Sequence, residues 1–584
     1  MSFLSQRIID SRRLTGPNFF SSREGALLHV ALADTEAPAM LRAWLIMARL
    51  LVARLGWPAH EPIARRHPGG AQCFLAAPID ALLAATEVNE SAWLAAEREV
   101  AGQLPIDVDD LVARLRVHAQ HERSPALAAL HSAALGRALT FTFDDDEVSL
   151  GAGSGSRTFP RTALPVPESV DWTALHDIPV ALVTGSNGKT TTTRLLSAML
   201  ARAGHVPGYT STDGVWCAGF EVDHGDYSGP AGARLVLRDR RVTAAVLETA
   251  RGGMLRRGLA THRAHVAIVT RVSADHMGEY GIHTLDDLAA AKLIVARALV
   301  DGGRLVLNGD DETLARLAPA LQLPVTWFSL DPTPPDVVAH LAGGGEACVL
   351  RDGELYHRTG DHEISLGPVA GMPLTLGGAA RYNVANALAA TAAAFALRVP
   401  VDAIRDTLSS FGASPDDNPG RLARLEYRGA RVVVDFAHNP DGWLALAQAT
   451  RAIPAARRMV VIGQGGDRDD QALDDLAAAV WQDRPEVIIL KEMPKYLRGR
   501  PHGEVTARLA HAFVQLGVPE AALRLADDEL EAINLALSEA RSGDLLLLSV
   551  HVDYAAAMRR LTELGATPVT TPIAAWAAAS SGGP

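Results

Sequence analysis

Beyond residue 175 the chain alternates short unbroken apolar runs with longer segments whose apolar positions recur every three or four residues. The runs are Val180–Val183, Ala244–Leu247, Val266–Thr270 and Leu305–Leu307, then Val432–Val434, Met459–Ile462, Val487–Leu490 and Leu545–Leu548. Each is too short for a helix and lacks polar alternation, so the pattern predicts strands buried on both faces, separated by helices. Such alternation implies an α/β fold with largely parallel sheets. The first region reads differently. It carries an apolar helical pattern over Met40–Leu55, an alanine-rich one over Leu82–Glu99 and a predicted strand over Ala138–Phe143. A glycine-serine turn at Gly151–Arg157 and prolines at Pro160, Pro165 and Pro167 mark a linker. Three domains are therefore expected, 1–160, 161–417 and 418–584, the third opening near Asn418-Pro419-Gly420-Arg421 and ending in a tail that frays from Thr570.

Composition limits the partners. With 584 residues, 48% hydrophobic and 21% charged, there is material for several cores and no sign of a disordered chain. A formal charge of -12 argues against a broad polyanion-binding surface, so nucleic acid is not an expected partner. Cys73, Cys217 and Cys348 lie far apart with no metal-ligand spacing, which predicts a reducing compartment and no disulfide frame. Arg42, Arg49 and Arg54 interrupt the most apolar early stretch, and no signal peptide or membrane span is predicted; the expected location is the cytoplasm.

The strand Val180–Val183 runs directly into Thr184-Gly185-Ser186-Asn187-Gly188-Lys189-Thr190-Thr191, and an apolar helical face follows in Leu195, Leu196, Met199 and Leu200. Strand, glycine turn and helix in that order make a phosphate cradle: the glycines admit the phosphate, the first helical amides point at it and the lysine adds a charge. Thr190 is placed to offer its hydroxyl to a magnesium ion on the same phosphates. Val183 stands where the longer phosphate-loop motif has its first glycine. Four threonines after Gly188-Lys189 are poor material for a merely structural helix start.

Ligands of open α/β sheets sit at the carboxyl ends of the strands, and polar residues follow the runs there. Glu248 directly follows Val246-Leu247, with Arg251 close behind; His276 follows the run that ends at Thr270. Lys292 interrupts an otherwise apolar helix, where an unpaired ammonium is costly unless it snorkels to solvent or has a chemical role.

Together, Thr184–Thr191, Glu248 after the next buried run, Asp275-His276 followed by Ala291-Lys292, and Asp435-Phe436-Ala437-His438-Asn439-Pro440 resemble the Mur ligase family. Asp213-Gly214, Gly225–Pro230, Leu247–Gly253, Gly466-Asp467-Arg468 and Leu497–Arg500 give a narrower likeness, over about residues 175 to 550, to the Mur-like half of the cyanophycin synthetases. Gly16-Pro17-Asn18 resembles the N-terminal domain of that group, while no ATP-grasp module fits between the linker and the phosphate loop.

The resemblance implies a three-domain architecture with a central ATPase domain and a Rossmann-like third domain. It implies ATP and Mg2+ as cofactors: Gly185, Ser186, Asn187, Gly188, Lys189, Thr190 and Thr191 on the phosphates, Asn383 and Asn386 on adenine, and Arg421 and Asp435 reaching the nucleotide from the third domain. Thr190, Glu248, His276 and a carbamylated Lys292 would hold metal, and His438 would stand near the reacting phosphate or the amine. The implied reaction is amide ligation through an acyl phosphate, joining an amino acid such as arginine to an aspartyl carboxylate. Its partners are small molecules or an acidic peptide, with homo-oligomerisation left open. Two alternatives are a peptidoglycan-precursor ligase and a non-catalytic nucleotide-binding subunit of a full synthetase. Arg271, Gly232 and Ala423 depart from the residues expected at their positions.

Overall fold

The computed structural model describes residues 6–569 and Trp576; the rest of the tail expected to fray lies outside the described residues. Its centre is an eleven-stranded sheet. Strands Pro207–Ser211, Ala244–Glu248, Val180–Thr184, Ala264–Val269, Leu299–Asn308, Val325–Ser329 and Glu346–Arg351 pair in parallel in that spatial order. Antiparallel hairpins close both edges. The phosphate-loop strand Val180–Thr184 is flanked by Ala244–Glu248 and Ala264–Val269, and all five of its residues are buried. That explains its unbroken apolar run: helices pack on both faces, so neither side can be polar. Two separate cores result, one built around Val180, Leu182, Leu247 and Leu288, the other around Ala181, Val183, Leu195 and Leu388.

A seven-stranded sheet forms the third domain. Strands Val487–Lys491, Arg457–Ile462, Asp544–Ser549 and Ala430–Asp435 lie parallel, with Ala423–Tyr427 antiparallel at one side. The N-terminal region holds a four-stranded antiparallel sheet covered by helices Ala37–Leu55, Leu82–Val100 and Val108–Glu122, with Trp44 and Trp93 fully buried between them. Here the predicted helices match within a few residues. The predicted strand at Ala138–Phe143 is shorter, Phe141–Phe143, because Ala138 takes a positive φ of 52° that ends the preceding helical turn. The prolines after residue 160 do not form an exposed linker throughout: Val170 and Leu175 pack into the small core of Phe141, Val148 and Leu150.

The N-terminal sheet docks on the central domain. Arg12 Nε donates to the Leu255 carbonyl at 3.2 Å and Leu259 N to the Pro17 carbonyl at 2.8 Å. Arg65 pairs with Asp287 at 2.6 Å, and Glu24 with His262 at 2.8 Å. Gly16 is needed for this approach, since a Cβ there would fall 2.2 Å from the Leu259 carbonyl oxygen.

Candidate active site

The turn after Val180–Thr184 is shaped by two glycines. Gly185 has φ 153°, and a Cβ on it would lie 1.8 Å from Thr270 Oγ1; Gly188 has φ 87°, and a Cβ there would meet Asn386 Oδ1 at 2.2 Å. Neither position admits a side chain, so the loop can press against the next strand and the Arg381–Ala396 helix. Thr270 Oγ1 donates to the Asn187 carbonyl at 2.6 Å, and Ser186 Oγ to the Ser273 carbonyl at 2.8 Å. Helix Lys189–Arg202 starts at the turn, presenting its free N-terminal amides to the space above. Lys189 folds its ammonium over the loop carbonyls of Gly185 and Ser186, at 3.2 and 3.3 Å.

Glu248 reaches the same point from the neighbouring strand. Thr190 Oγ1 donates to its Oε2 at 2.8 Å, while Oε1 is buried with no hydrogen-bond partner among the described residues. Burial raises this carboxyl above its ordinary value, and Lys189 and Thr190 offset part of that rise. An orphaned carboxylate oxygen beside a threonine hydroxyl and a phosphate cradle suits a hard cation such as Mg2+.

His276, Glu279 and Asp467 form a second cluster, their candidate ligand atoms within 4.8 Å of one another. His276 Nδ1 is 3.3 Å from Glu279 Oε1 and 3.9 Å from Asp467 Oδ2, so the central and third domains meet here. Asp275 next to it pairs with Arg468 at 3.1 Å; burial alone would raise its pKa, yet Arg468 and His276 hold it well below the carboxylate range. Lys292 is 3% exposed and makes no hydrogen bond or ion pair among the described residues. Burial, reinforced by Lys189, lowers its pKa to about 7.

The third domain supplies the roof. Asn187 Nδ2 donates to Asp441 Oδ2 at 3.0 Å, and Asn439 Nδ2 donates back to Asn187 Oδ1 at 3.1 Å. Arg421 lies over the Phe436 ring at 4.3 Å and points Nη2 at Thr190 Oγ1, 3.4 Å away. Arg194, on the phosphate-loop helix, grips Asp213 at 2.6 Å and the Pro419 carbonyl at 2.9 Å. Asp435 accepts from Leu422 N at 2.9 Å; burial raises its pKa and Arg421 opposes that. His438 is driven down to about 4 chiefly by burial, so it is neutral at pH 7. Its Nδ1 faces the Phe436 carbonyl at 3.1 Å, which can only accept, leaving the lone pair on Nε2.

Two cavities open around these groups. One, of about 360 Å³, is lined by the loop residues Ser186–Thr191, by Glu248, Tyr382, Asn386, Arg421 and Asp435, and by the third-domain helix that begins at Pro440. The other, of about 1370 Å³, is lined by Lys292, His276, Glu279, Asp467 and Ser228, and by residues of the N-terminal sheet. Ser186, Lys189, Thr212, Phe436 and His438 line both, so the cavities meet at the phosphate loop.

Of the residues singled out from sequence, the structure gathers Gly185–Thr191, Glu248, His276, Lys292, Asn386, Arg421, Asp435 and His438 around this junction. Asn383 is set back: its Nδ2 donates to the Leu374 carbonyl and its Oδ1 accepts from Asn386, so it orients Asn386 and lines a smaller cavity on the far side. Arg500 holds Asp470 and Glu504 and the Gly466 and Arg468 carbonyls, bracing the loop that carries Asp467. Glu279 and Arg194 were missed. A His-x-x-Glu spacing in His276–Glu279 was the available signal for the first; nothing local marks the second.

Residues 183–394 match the family model described as Mur ligase middle domain, and residues 420–550 that described as Mur ligase, glutamate ligase domain. Cyanophycin synthetase of Trichormus variabilis is 39% identical over 374 residues, 64% of this chain and 41% of that protein. The chain thus spans about two fifths of the length of the cyanophycin synthetases it matches. UDP-N-acetylmuramoyl-L-alanyl-D-glutamate--2,6-diaminopimelate ligase of Thermosynechococcus vestitus is 29% identical over 391 residues, 64% of this chain and 72% of that one. Among solved structures, E. coli FolC in complex with DHPP and ADP aligns at TM-score 0.48 and 20% identity, over 66% of this chain and 89% of that chain.

Proposed function

Because the chain belongs to the Mur ligase family through its middle and C-terminal domains, we propose that it is an ATP-dependent amide ligase. It activates a carboxylate as an acyl phosphate and couples it to the amine of an amino acid. The observation that carries this reading is the junction of the two cavities at Lys189 and His438: a nucleotide-sized space opens into a larger one at the phosphate loop.

In the first step a carboxylate oxygen in the larger cavity attacks the γ-phosphorus of ATP, the bond to the β-phosphate oxygen breaks, and ADP remains in the smaller cavity. Lys189 and the amides that start its helix take up the charge on the phosphoryl oxygens. In the second step the amine attacks the acyl carbon, phosphate leaves, and the amine gives up a proton, for which the Nε2 lone pair of His438 is available. Thr190 and Glu248 would hold one Mg2+, and His276 with Glu279, Asp467 and a carbamylated Lys292 a second; such ions supply Lewis-acid stabilisation of phosphoryl oxygens. The roof of Asn439, Asp441 and Arg421 keeps water from the acyl phosphate.

We propose arginine as the amino acid and an aspartyl carboxylate as the acceptor, a reading supported by the resemblance to the cyanophycin synthetases. Purified protein given ATP, Mg2+, single amino acids and short aspartyl peptides releases ADP and phosphate in proportion to product, and Lys189→Ala removes this. Release of AMP, or no turnover with any pair, refutes the proposal.

A further inference from the structure

Between the end of strand Ala430–Asp435 and helix Pro440–Thr450 lies a short turn, Phe436 to Asn439, that belongs to neither. Its first three carbonyls lie outside both the sheet ladder and the helix, yet each is taken. The Phe436 carbonyl accepts from His438 Nδ1 at 3.1 Å, the Ala437 carbonyl from His551 Nε2 at 3.0 Å and the His438 carbonyl from Gln464 Nε2 at 2.6 Å. The two donors from outside the turn come from the ends of the next two strands of the same sheet: His551 follows Asp544–Ser549, and Gln464 follows Arg457–Ile462.

Gln464 is 7% exposed, and its amide is used at both ends, for its Oε1 accepts from Gly465 N at 3.0 Å. A buried primary amide is costly unless it is hydrogen-bonded, and a side chain needed only to fill space would be apolar. This one ties two loops together. On one side stands His438, whose ring lines both cavities where they meet. On the other is the glycine loop that leads to Asp467, held in turn by the bond from Gly466 N to the Tyr496 carbonyl at 2.8 Å. That loop has no room to slip: a Cβ at Gly463 would fall 2.6 Å from Lys491 Cγ, and one at Gly466 would fall 2.0 Å from the Leu497 carbonyl oxygen.

We propose that Gln464 is a positioning residue for amide formation: by holding the His438 carbonyl it fixes the turn, so that the imidazole keeps its Nδ1 proton on the Phe436 carbonyl and its Nε2 lone pair at the junction of the cavities. Without that bond the turn relaxes, the ring exchanges tautomers, and the base is absent for part of the time. The acyl phosphate then waits longer for its amine, and more of it is hydrolysed to carboxylate and phosphate. Gln464 itself touches no substrate. The proposal rests on the ligase reading for the amine that His438 serves; the brace on the ring needs no turnover.

The test pairs spectroscopy with kinetics on the full-length protein, using Gln464→Met and Gln464→Leu, which fill the space and lose the donor; melting temperatures show that both variants are folded. With nitrogen-15-labelled histidine and no substrates, the parent is expected to carry the His438 proton on Nδ1, and both variants to average over the two tautomers; the His438 signals are identified by their loss in His438→Gln. Given ATP, Mg2+, arginine and an aspartyl peptide, Gln464→Met should form amide at least tenfold more slowly at saturation. The ATP concentration for half-maximal rate should change less than twofold, and more than one ADP should be released per amide. A His438 ring that keeps one tautomer in both variants, an amide rate within twofold of the parent, or a rate loss matched by weaker ATP binding overturns the proposal. If the tautomer shifts while the parent itself makes no amide, the ligase reading falls and the brace stands; if the parent turns over and both variants match it, the brace falls and the ligase stands.

Discussion

Two buried lysines stand at the active-site faces of the two large sheets, and they are treated in opposite ways. Lys491, at the end of strand Val487–Lys491, is wholly enclosed and pairs with Glu529, with a second bond of 2.6 Å to the Ser549 carbonyl. Glu529 in turn accepts the backbone amides of His551, Val552 and Asp553, and His551 Nε2 lies 3.0 Å from the Ala437 carbonyl. Phe436, His438 and His551 then pack edge to face. Lys491 thus pins the loops around His438. Lys292, equally buried, has no such partner, faces the large cavity and stays available. A buried cation is built into this protein either as a rivet or as a reagent, and its partners tell which.

The difference can be broken from either side. Lys491→Met strands the Glu529 charge and should cost about 3–5 kcal/mol of stability in urea unfolding, much of it recovered when Glu529→Leu is added. Lys292→Met should do the reverse: phosphate release falls by about 10²–10³-fold, as when a charge-stabilising group is lost, while the melting temperature holds or rises. If Lys292→Met unfolds the protein, Lys292 is a rivet too and the comparison fails.

A pH series sharpens it. Folded Lys292 gives up its proton near pH 7, whereas an unfolded chain keeps it to 10.5. Between those values the unfolded state binds more protons, so this group favours folding increasingly as pH rises, and its penalty is complete below pH 7. The stability gap between Lys292→Met and the parent should therefore be widest near pH 6 and narrow towards pH 10. The smallest effect is expected at Arg271, which pairs with Asp441 across the smaller cavity at 3.0 Å but is 56% exposed. Arg271→Ala should change stability by less than about 1 kcal/mol and be read best in the ATP concentration giving half-maximal turnover.

The fold was legible in sequence where burial on two faces suppresses polar residues. Val180–Val183 and Leu545–Leu548 announce central strands because nothing polar survives there. Glu248 stood out for the complementary reason, a carboxylate at the end of such a run. Residues acting over long distances left no such mark. Arg12 is an arginine on an alternating edge strand, and its place beside Arg256 depends on how two domains dock, 244 residues apart in sequence. Glu529 looks like a solvated charge until the helix Glu529–Glu539 brings it to Lys491, which itself ends the run Val487–Leu490. The linker marked by Pro160, Pro165 and Pro167 is followed by Val170 and Leu175, which pack into the core of the small sheet, a contact that the prolines do not announce.

The reciprocal amide pair of Asn187 and Asn439 joins the phosphate turn directly to the third domain. The same side chain that belongs to the phosphate turn holds the roof, so lifting the C-terminal lobe breaks bonds made by that turn. Opening of the roof and loosening of the phosphate turn are thereby coupled through one side chain.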